Sequence, residues 1–230
     1  MNKQFVLGVL GGMGPESSTH FLHLLTKYSP VQREQDHMRV LVYMNPKTRD
    51  RTASILNRES LVKELQQSCN VLLNAGATKM VIICNTAHHY LPILKKKLRV
   101  PFYNLIDSTV DYITRRNIKT VLLLATEGTY ISGLFERPLS IKGVNVIVPD
   151  KKVRHQIMSI IHDIKIRGVS IQHSMLLRRI IDAYPCDSII LGCTELSLLR
   201  KNKKMIDPLE LMAKRIVLDY FGRVRQRIVS

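Results

Sequence analysis

Short apolar runs alternate with amphipathic stretches from one end of the chain to the other. The runs at residues 5–10, 39–44, 79–84, 102–105, 120–125, 145–148 and 188–193 have the length of strands. Several are nearly continuous Val, Ile and Leu, the pattern of parallel strands covered on both faces. Between them the apolar period lengthens to that of a helix. One helix is expected over 16–27, with Pro15 suited to its first turn. Others are expected over 59–74, with Gly76 just past the end, over 153–167, closed by Gly168, and over 208–223. Strand–helix alternation of this kind predicts an α/β architecture with parallel sheets.

The order of parts then repeats. The first strand leads into Gly11-Gly12-Met13-Gly14, and the phrase Val81-Ile82-Ile83-Cys84-Asn85-Thr86 follows. The strand at 120–125 leads into Thr126-Glu127-Gly128-Thr129, and after a similar gap comes Ile189-Ile190-Leu191-Gly192-Cys193-Thr194-Glu195. The repetition predicts two similar, pseudo-symmetric α/β domains. One comprises 1–105, with 206–230 packing back on it, and the other 106–205. Ligands in such sheets bind beyond the carboxyl ends of the strands. Both cysteines sit at those ends, so a cleft between the halves would bring them to one ligand.

Composition narrows the class. A 45% apolar and 23% charged chain of 230 residues can bury ordinary globular cores. It has no apolar run long enough to span a membrane. The apolar start breaks at once into the glycine turn with no A-x-A-like site, so it reads as a core strand and not as a leader. Four cysteines do not make a disulfide framework at this size, which points to reduced thiols and a cytoplasmic setting. The net charge of +17 is the unusual feature. Its small clusters (95–97, 151–152, 201–204 and 223–227) have no interleaved aromatic residues and no nucleic-acid motif, which argues against a nucleic-acid site and leaves an anionic metabolite as the better partner.

A lone cysteine at a strand end is ordinarily a small core residue, and Cys69 and Cys186 are read that way. Two thiols in repeated strand-to-helix settings suggest something else. Backbone N–H groups and the positive end of a helix dipole would lower their pKa values from roughly 8.5 toward neutrality. Two such groups flanking one substrate can act as an acid–base pair. His88, one helical turn beyond Cys84, raises the question of a metal, but no clear third ligand accompanies the pair.

The motifs resemble the cofactor-independent aspartate/glutamate racemase family over nearly the whole chain. They are Gly11-Gly12-Met13-Gly14-Pro15, Asp50-Arg51-Thr52, Cys84-Asn85-Thr86-Ala87-His88, Ala125-Thr126-Glu127-Gly128-Thr129 with Ser132-Gly133, Pro149-Asp150, Ile164-Lys165 with Gly168, and Gly192-Cys193-Thr194-Glu195-Leu196. Each is weak alone; seven in order are specific. The resemblance implies two α/β domains with the active site in the cleft, no pyridoxal phosphate or metal, and a homodimer. It implies Cys84 and Cys193 as the catalytic pair, one thiol removing the Cα proton while the other delivers a proton to the opposite face. Asn85, Thr86 and Thr194 would then hold the substrate carboxylate as charge develops. Arg51 and Lys165 would hold the distal carboxylate of a small anionic amino acid, aspartate being preferred. The resemblance also brings Met13 and Thr126 to the substrate.

From the residues alone, Arg51 reads as a solvated loop charge beside Arg49. Asn45 reads either as a turn residue or as part of the pocket wall. Glu195 would bond the substrate ammonium or orient a neighbour. Two departures from the family pattern are visible, Glu16-Ser17-Ser18 after the glycine turn and the basic stretch Asn45-Pro46-Lys47-Thr48-Arg49. The competing readings are a broad-specificity or glutamate racemase, a related isomerase of the same superfamily, and a non-catalytic basic binding protein on this fold.

Overall fold

The computed structural model of the protein describes residues 5–229, with side chains described through Gly222. Residues 1–4 and the side chains of the basic cluster at 223–227 lie outside the described residues. The first half runs β1 (Val6–Gly11), α1 (Pro15–Tyr28), β2 (Arg39–Met44), α2 (Arg51–Leu56), α3 (Val62–Asn74), β3 (Lys79–Ile82) and α4 (Leu91–Lys97). Then follow α5 (Leu105–Arg115), β4 (Thr120–Ala125), α6 (Glu127–Ser132), α7 (Glu136–Ile141) and β5 (Asn145–Ile147). The chain ends with α8 (Lys151–Arg167), α9 (Ile171–Asp182), β6 (Ser188–Gly192), β7 (Met205–Ile206) and α10 (Pro208–Val229).

Two wholly parallel sheets result, in the orders β2-β1-β3 and β5-β4-β6-β7. The α/β class and the duplicated architecture expected from the sequence are present. The segment at 102–105 is a correction. It makes one bridge, Phe102 to Met80, in the position β7 takes beside β6. It cannot extend, because Asn104 turns the chain into α5 by accepting hydrogen bonds from the Ile106 and Asp107 N–H groups at 2.9 and 3.4 Å. Ile206 still pairs in the second sheet, so residue 205, expected as the end of the second domain, lies inside β7.

Each sheet is covered on both faces, because successive strand residues point to opposite sides. In the first sheet Leu7 and Val9 pack on α1 and α10 through Phe21, Met212 and Ile216, while Leu10, Met80 and Ile82 meet Leu65 and Leu72 of α3. In the second, Leu122 and Leu124 meet Ile157, Ile161 and Ile164 of α8, while Val121 and Leu123 meet Ile113 and Leu139. Each such buried aliphatic side chain contributes about 1.5–3 kcal/mol relative to exposure. Helix α10 packs on α1 and on α5. No helix among the described residues is long and apolar enough to cross a membrane.

Candidate active site

The glycine turn leads from the carboxyl end of β1 into α1 and packs against Asn45 at the end of β2. Gly12 has φ +92°, and a Cβ there would stand 2.5 Å from the Asn45 backbone nitrogen. Glycine is required on both counts. Ser18 Oγ fixes the turn by accepting from Gly12 N at 3.0 Å and donating to the Gly14 carbonyl at 2.9 Å. Asp50 then caps α2, accepting from Ala53 N at 2.7 Å. Its neighbour Arg51 is carried inward. The guanidinium donates to the carbonyls of Thr48, Arg49 and Met13 at 3.2, 3.0 and 3.2 Å. Its Nε has no partner, and the residue is only 9% exposed. Reading Arg51 as a solvated loop charge is therefore corrected. Arg49 is the solvated one, bridging Glu59 and Glu64.

Beyond β3, Cys84 leads into a 3-10 turn, Thr86–Tyr90. His88 braces this turn: its Nδ1 lies 2.8 Å from the Cys84 carbonyl and its Nε2 accepts from Leu105 N at 3.1 Å. Nδ1 therefore carries the proton and donates. Complete burial pushes the imidazole down to about 4, so the ring is neutral. With both nitrogens engaged it has nothing left for a metal, and no cluster of metal-ligating side chains occurs among the described residues. Asn85, 2% exposed, has neither Nδ2 nor Oδ1 paired. A buried amide left in that condition is costly, which makes it a natural seat for a polar ligand. Thr86 Oγ1 closes a triangle with Thr126 Oγ1 and Thr129 Oγ1, with sides of 2.8, 3.0 and 3.0 Å.

Beyond β6, Cys193 leads into the second 3-10 turn, Thr194–Leu198. The Cys193 thiol donates to Glu195 Oε2 at 2.8 Å, and Thr194 Oγ1 donates to the same oxygen at 3.3 Å. Ser17 Oγ donates to Glu195 Oε1 at 3.2 Å, and Lys165 Nζ of α8 stands 4.0 Å from it. Burial, followed by the Glu195 charge, raises the Cys193 thiol well above its ordinary value. The expectation that a helix dipole lowers it is corrected: a five-residue 3-10 turn supplies little dipole, and complete burial beside a carboxylate opposes a thiolate. Burial works against the Lys165 and Arg51 charges too. The anionic forms of Glu195, Cys193 and Cys84 around Lys165, and of Cys84, Asp50 and Glu195 around Arg51, outweigh it and hold both cations above their ordinary values.

One cavity gathers these groups. Its lining is Met13, Asp50, Arg51, Thr52, Cys84, Asn85, Thr86, Thr126, Lys165, Cys193, Thr194 and Glu195, around about 280 Å³ of space between atoms. Every residue singled out in the sequence reaches it except Asn45, whose Nδ2 donates to Ser68 Oγ at 3.0 Å and whose carbonyl anchors Thr48. Asn45 is the turn residue of its two readings. Sequence reasoning missed Asp50 and Thr52 as lining residues, although both flank the Arg51 it named, and it missed Ser17 and Thr129. A larger cavity between α8 and α9, with about 1630 Å³ of space between atoms, contains none of the motif residues.

Residues 10–216 match the model of the Asp/Glu/Hydantoin racemase family. Across 94% of its length and 99% of the relative's, the chain is 25% identical to the broad specificity amino-acid racemase RacX of Bacillus subtilis (strain 168). It is also 25% identical to the glutamate racemase of Aquifex pyrophilus, over 69% of this chain and 62% of that protein. Among solved structures, the aspartate racemase of Picrophilus torridus superposes with a TM-score of 0.83 at 28% identity, covering 95% of this chain and 94% of that one.

Proposed function

The chain belongs to the Asp/Glu/hydantoin racemase family and is an amino-acid racemase, and we propose that it interconverts L- and D-aspartate by proton transfer between Cys84 and Cys193. One observation carries the reading. The two thiols, at the ends of equivalent strands in two sheets, line one cavity with two cations and an unpaired buried amide. The two domains meeting there are taken as 1–105 with α10 packing back, and 106–205 extended through Ile206 of β7.

The surroundings of the thiols differ, and the difference assigns their resting states. Cys193 donates its proton to Glu195 and is held protonated. Cys84, beside the Arg51 guanidinium, is assigned the complementary role of the starting base. In one direction the Cys84 thiolate removes the Cα proton and the Cys193 thiol delivers its own proton to the other face. The reverse direction starts from the exchanged protonation states. Negative charge that develops on the substrate α-carboxylate meets the Asn85 amide and the Thr86 and Thr194 hydroxyls, donors already buried and needing no solvent rearrangement. Arg51 and Lys165, both lining the cavity, fit the distal carboxylate of a dicarboxylate. The full-length likeness to a broad specificity racemase supports a second reading, in which neutral or basic amino acids are also accepted.

The test is α-proton exchange in D2O on L-Asp, L-Glu and a panel of neutral and basic amino acids, followed by chiral analysis, in reducing buffer. Deuterium uptake with loss of optical purity on aspartate alone is expected, and turnover across the panel would favour the second reading. Cys84→Ser and Cys193→Ser should each abolish racemisation with the fold intact. Normal turnover by both variants would sink the two-thiol mechanism.

A further inference from the structure

Glu195 is 2% exposed, and its two oxygens face different halves of the molecule. Oε2 accepts from the Cys193 thiol and from Thr194 within its own half. Oε1 accepts from Ser17 Oγ, which stands in the first turn of α1, 178 positions away in the chain. Lys165, at 4.0 Å, lies beyond hydrogen-bond distance of that oxygen. The contrast with the next residue is informative. Ser18 bonds back to the Gly14 carbonyl of its own helix, the usual local use of a helical serine. Ser17, wholly buried, spends its hydroxyl on the opposite half. A hydroxyl on the first turn of a well-packed helix has little freedom to follow a moving carboxylate, so it fixes the carboxylate instead.

We propose that Ser17 is a positioning residue for proton transfer: its hydroxyl, held on α1, donates to Glu195 Oε1 and so partly offsets the carboxylate charge that Oε2 presents to the Cys193 thiol. The proposal rests on the reading of Cys193 as an acid–base group. A donor to a carboxylate stabilises negative charge on the whole thiol–carboxylate cluster. Removing the donor therefore raises the proton affinity of the cluster, and the titration observed at Cys193 belongs to the pair. The other charged groups facing it are Lys165 from α8, Arg51 from α2 and Cys84 beyond β3. On the α10 side Asp207 and Glu210 are engaged by Lys201 at 2.7 and 3.1 Å. None of these bonds runs to Ser17.

The experiment compares wild type, Ser17→Ala and Ser17→Thr, using variants whose circular dichroism matches wild type. The pH dependence of Cys193 alkylation is followed by peptide mass spectrometry, beside kcat and KM for proton exchange. In Ser17→Ala the alkylation midpoint should rise by roughly half to one pH unit, the size of a lost hydrogen bond to a buried charge. In the direction that uses Cys193 as the base, kcat should fall about 3- to 10-fold near neutral pH, in proportion to the lost thiolate. KM should change little, because Ser17 does not line the cavity. Ser17→Thr, which keeps the donor, should restore the midpoint. A midpoint in Ser17→Ala that stays put or falls, or one in Ser17→Thr displaced as far as in Ser17→Ala, overturns the proposal. Absence of exchange by the wild type on every amino acid would remove the racemisation mechanism, while the alkylation midpoint would still report whether Ser17 governs the Glu195–Cys193 pair.

Discussion

Replacing His88 with Gln should make the protein less sensitive to mild acid, and the size of the effect follows from the burial of the ring. In the folded protein His88 titrates at about 4, against 6.5 for an ordinary histidine, because a wholly buried imidazolium is penalised and Nε2 is occupied as an acceptor. The unfolded chain therefore binds a proton that the folded chain refuses between those two values. The stability carried by neutral His88 is complete above about pH 6.5 and is lost progressively as the pH falls toward 4. At about pH 5 the loss from this one group is about 2 kcal/mol, and at about pH 7.5 it is close to zero. Urea unfolding at those two pH values, on wild type and His88→Gln, isolates the term, since every other titrating group is common to both proteins. The variant should be less stable than wild type at the higher pH, because its side chain cannot span the Cys84 carbonyl and the Leu105 amide equally well. Its further loss on acidification should be smaller by about 2 kcal/mol. An equal acid sensitivity in the two proteins would refute the buried neutral brace.

Gly14→Ala should cut kcat by about tenfold or more while the fold survives, because the new Cβ would stand 2.3 Å from Glu195 Oε1 and must displace that carboxylate; steady-state kinetics beside a thermal melt separates the two effects. Arg51→Lys should raise KM for aspartate more than it lowers kcat. One ammonium cannot serve the carbonyls of Thr48, Arg49 and Met13 and also present a fork to a carboxylate, and stability should drop by about 1–3 kcal/mol for the carbonyls left unpaired. Thr129→Val removes one corner of the hydroxyl triangle at nearly constant volume; a loss of about 1 kcal/mol in urea unfolding is expected, with a larger loss in kcat if Thr86 turns away from the cavity.

The strands were legible because their neighbours bury them on both faces, leaving runs such as Val121-Leu122-Leu123-Leu124 that no exposed element would carry. The short helices α2 and α6 were not. Each is six residues long and depends on a local cap, Asp50 or Thr126, more than on periodicity. Helix α9 was not legible either, although its apolar positions are as well segregated as those of α1 and α8. At the site, the motifs named most of the lining, because residues at strand ends and in the adjoining turns reach the ligand side of such sheets. Ser17 could not be read in the same way. Its partner belongs to the other half of the chain, and only the packing of α1 against the turn after Cys193 brings the two together.

The misjudged thiol carries a larger point about duplicated sites. Strand order, the turn after each third strand and the cysteine itself all repeat, so a reading built on the repeat treats Cys84 and Cys193 as equals. A racemase working by two thiols needs them unequal at the start of each turnover, one with its proton and one without. Under the proposed mechanism, residues outside the repeat supply that inequality. In the first half the residue two positions beyond the thiol is Thr86, whose side chain carries no charge, and the Arg51 guanidinium stands nearby. In the second, the residue two positions on is Glu195, which takes the thiol's hydrogen bond and opposes its ionisation. Under the mechanism proposed above, the repeated residues set where a proton can be exchanged, and the residues that break the repeat set where the proton rests between turnovers.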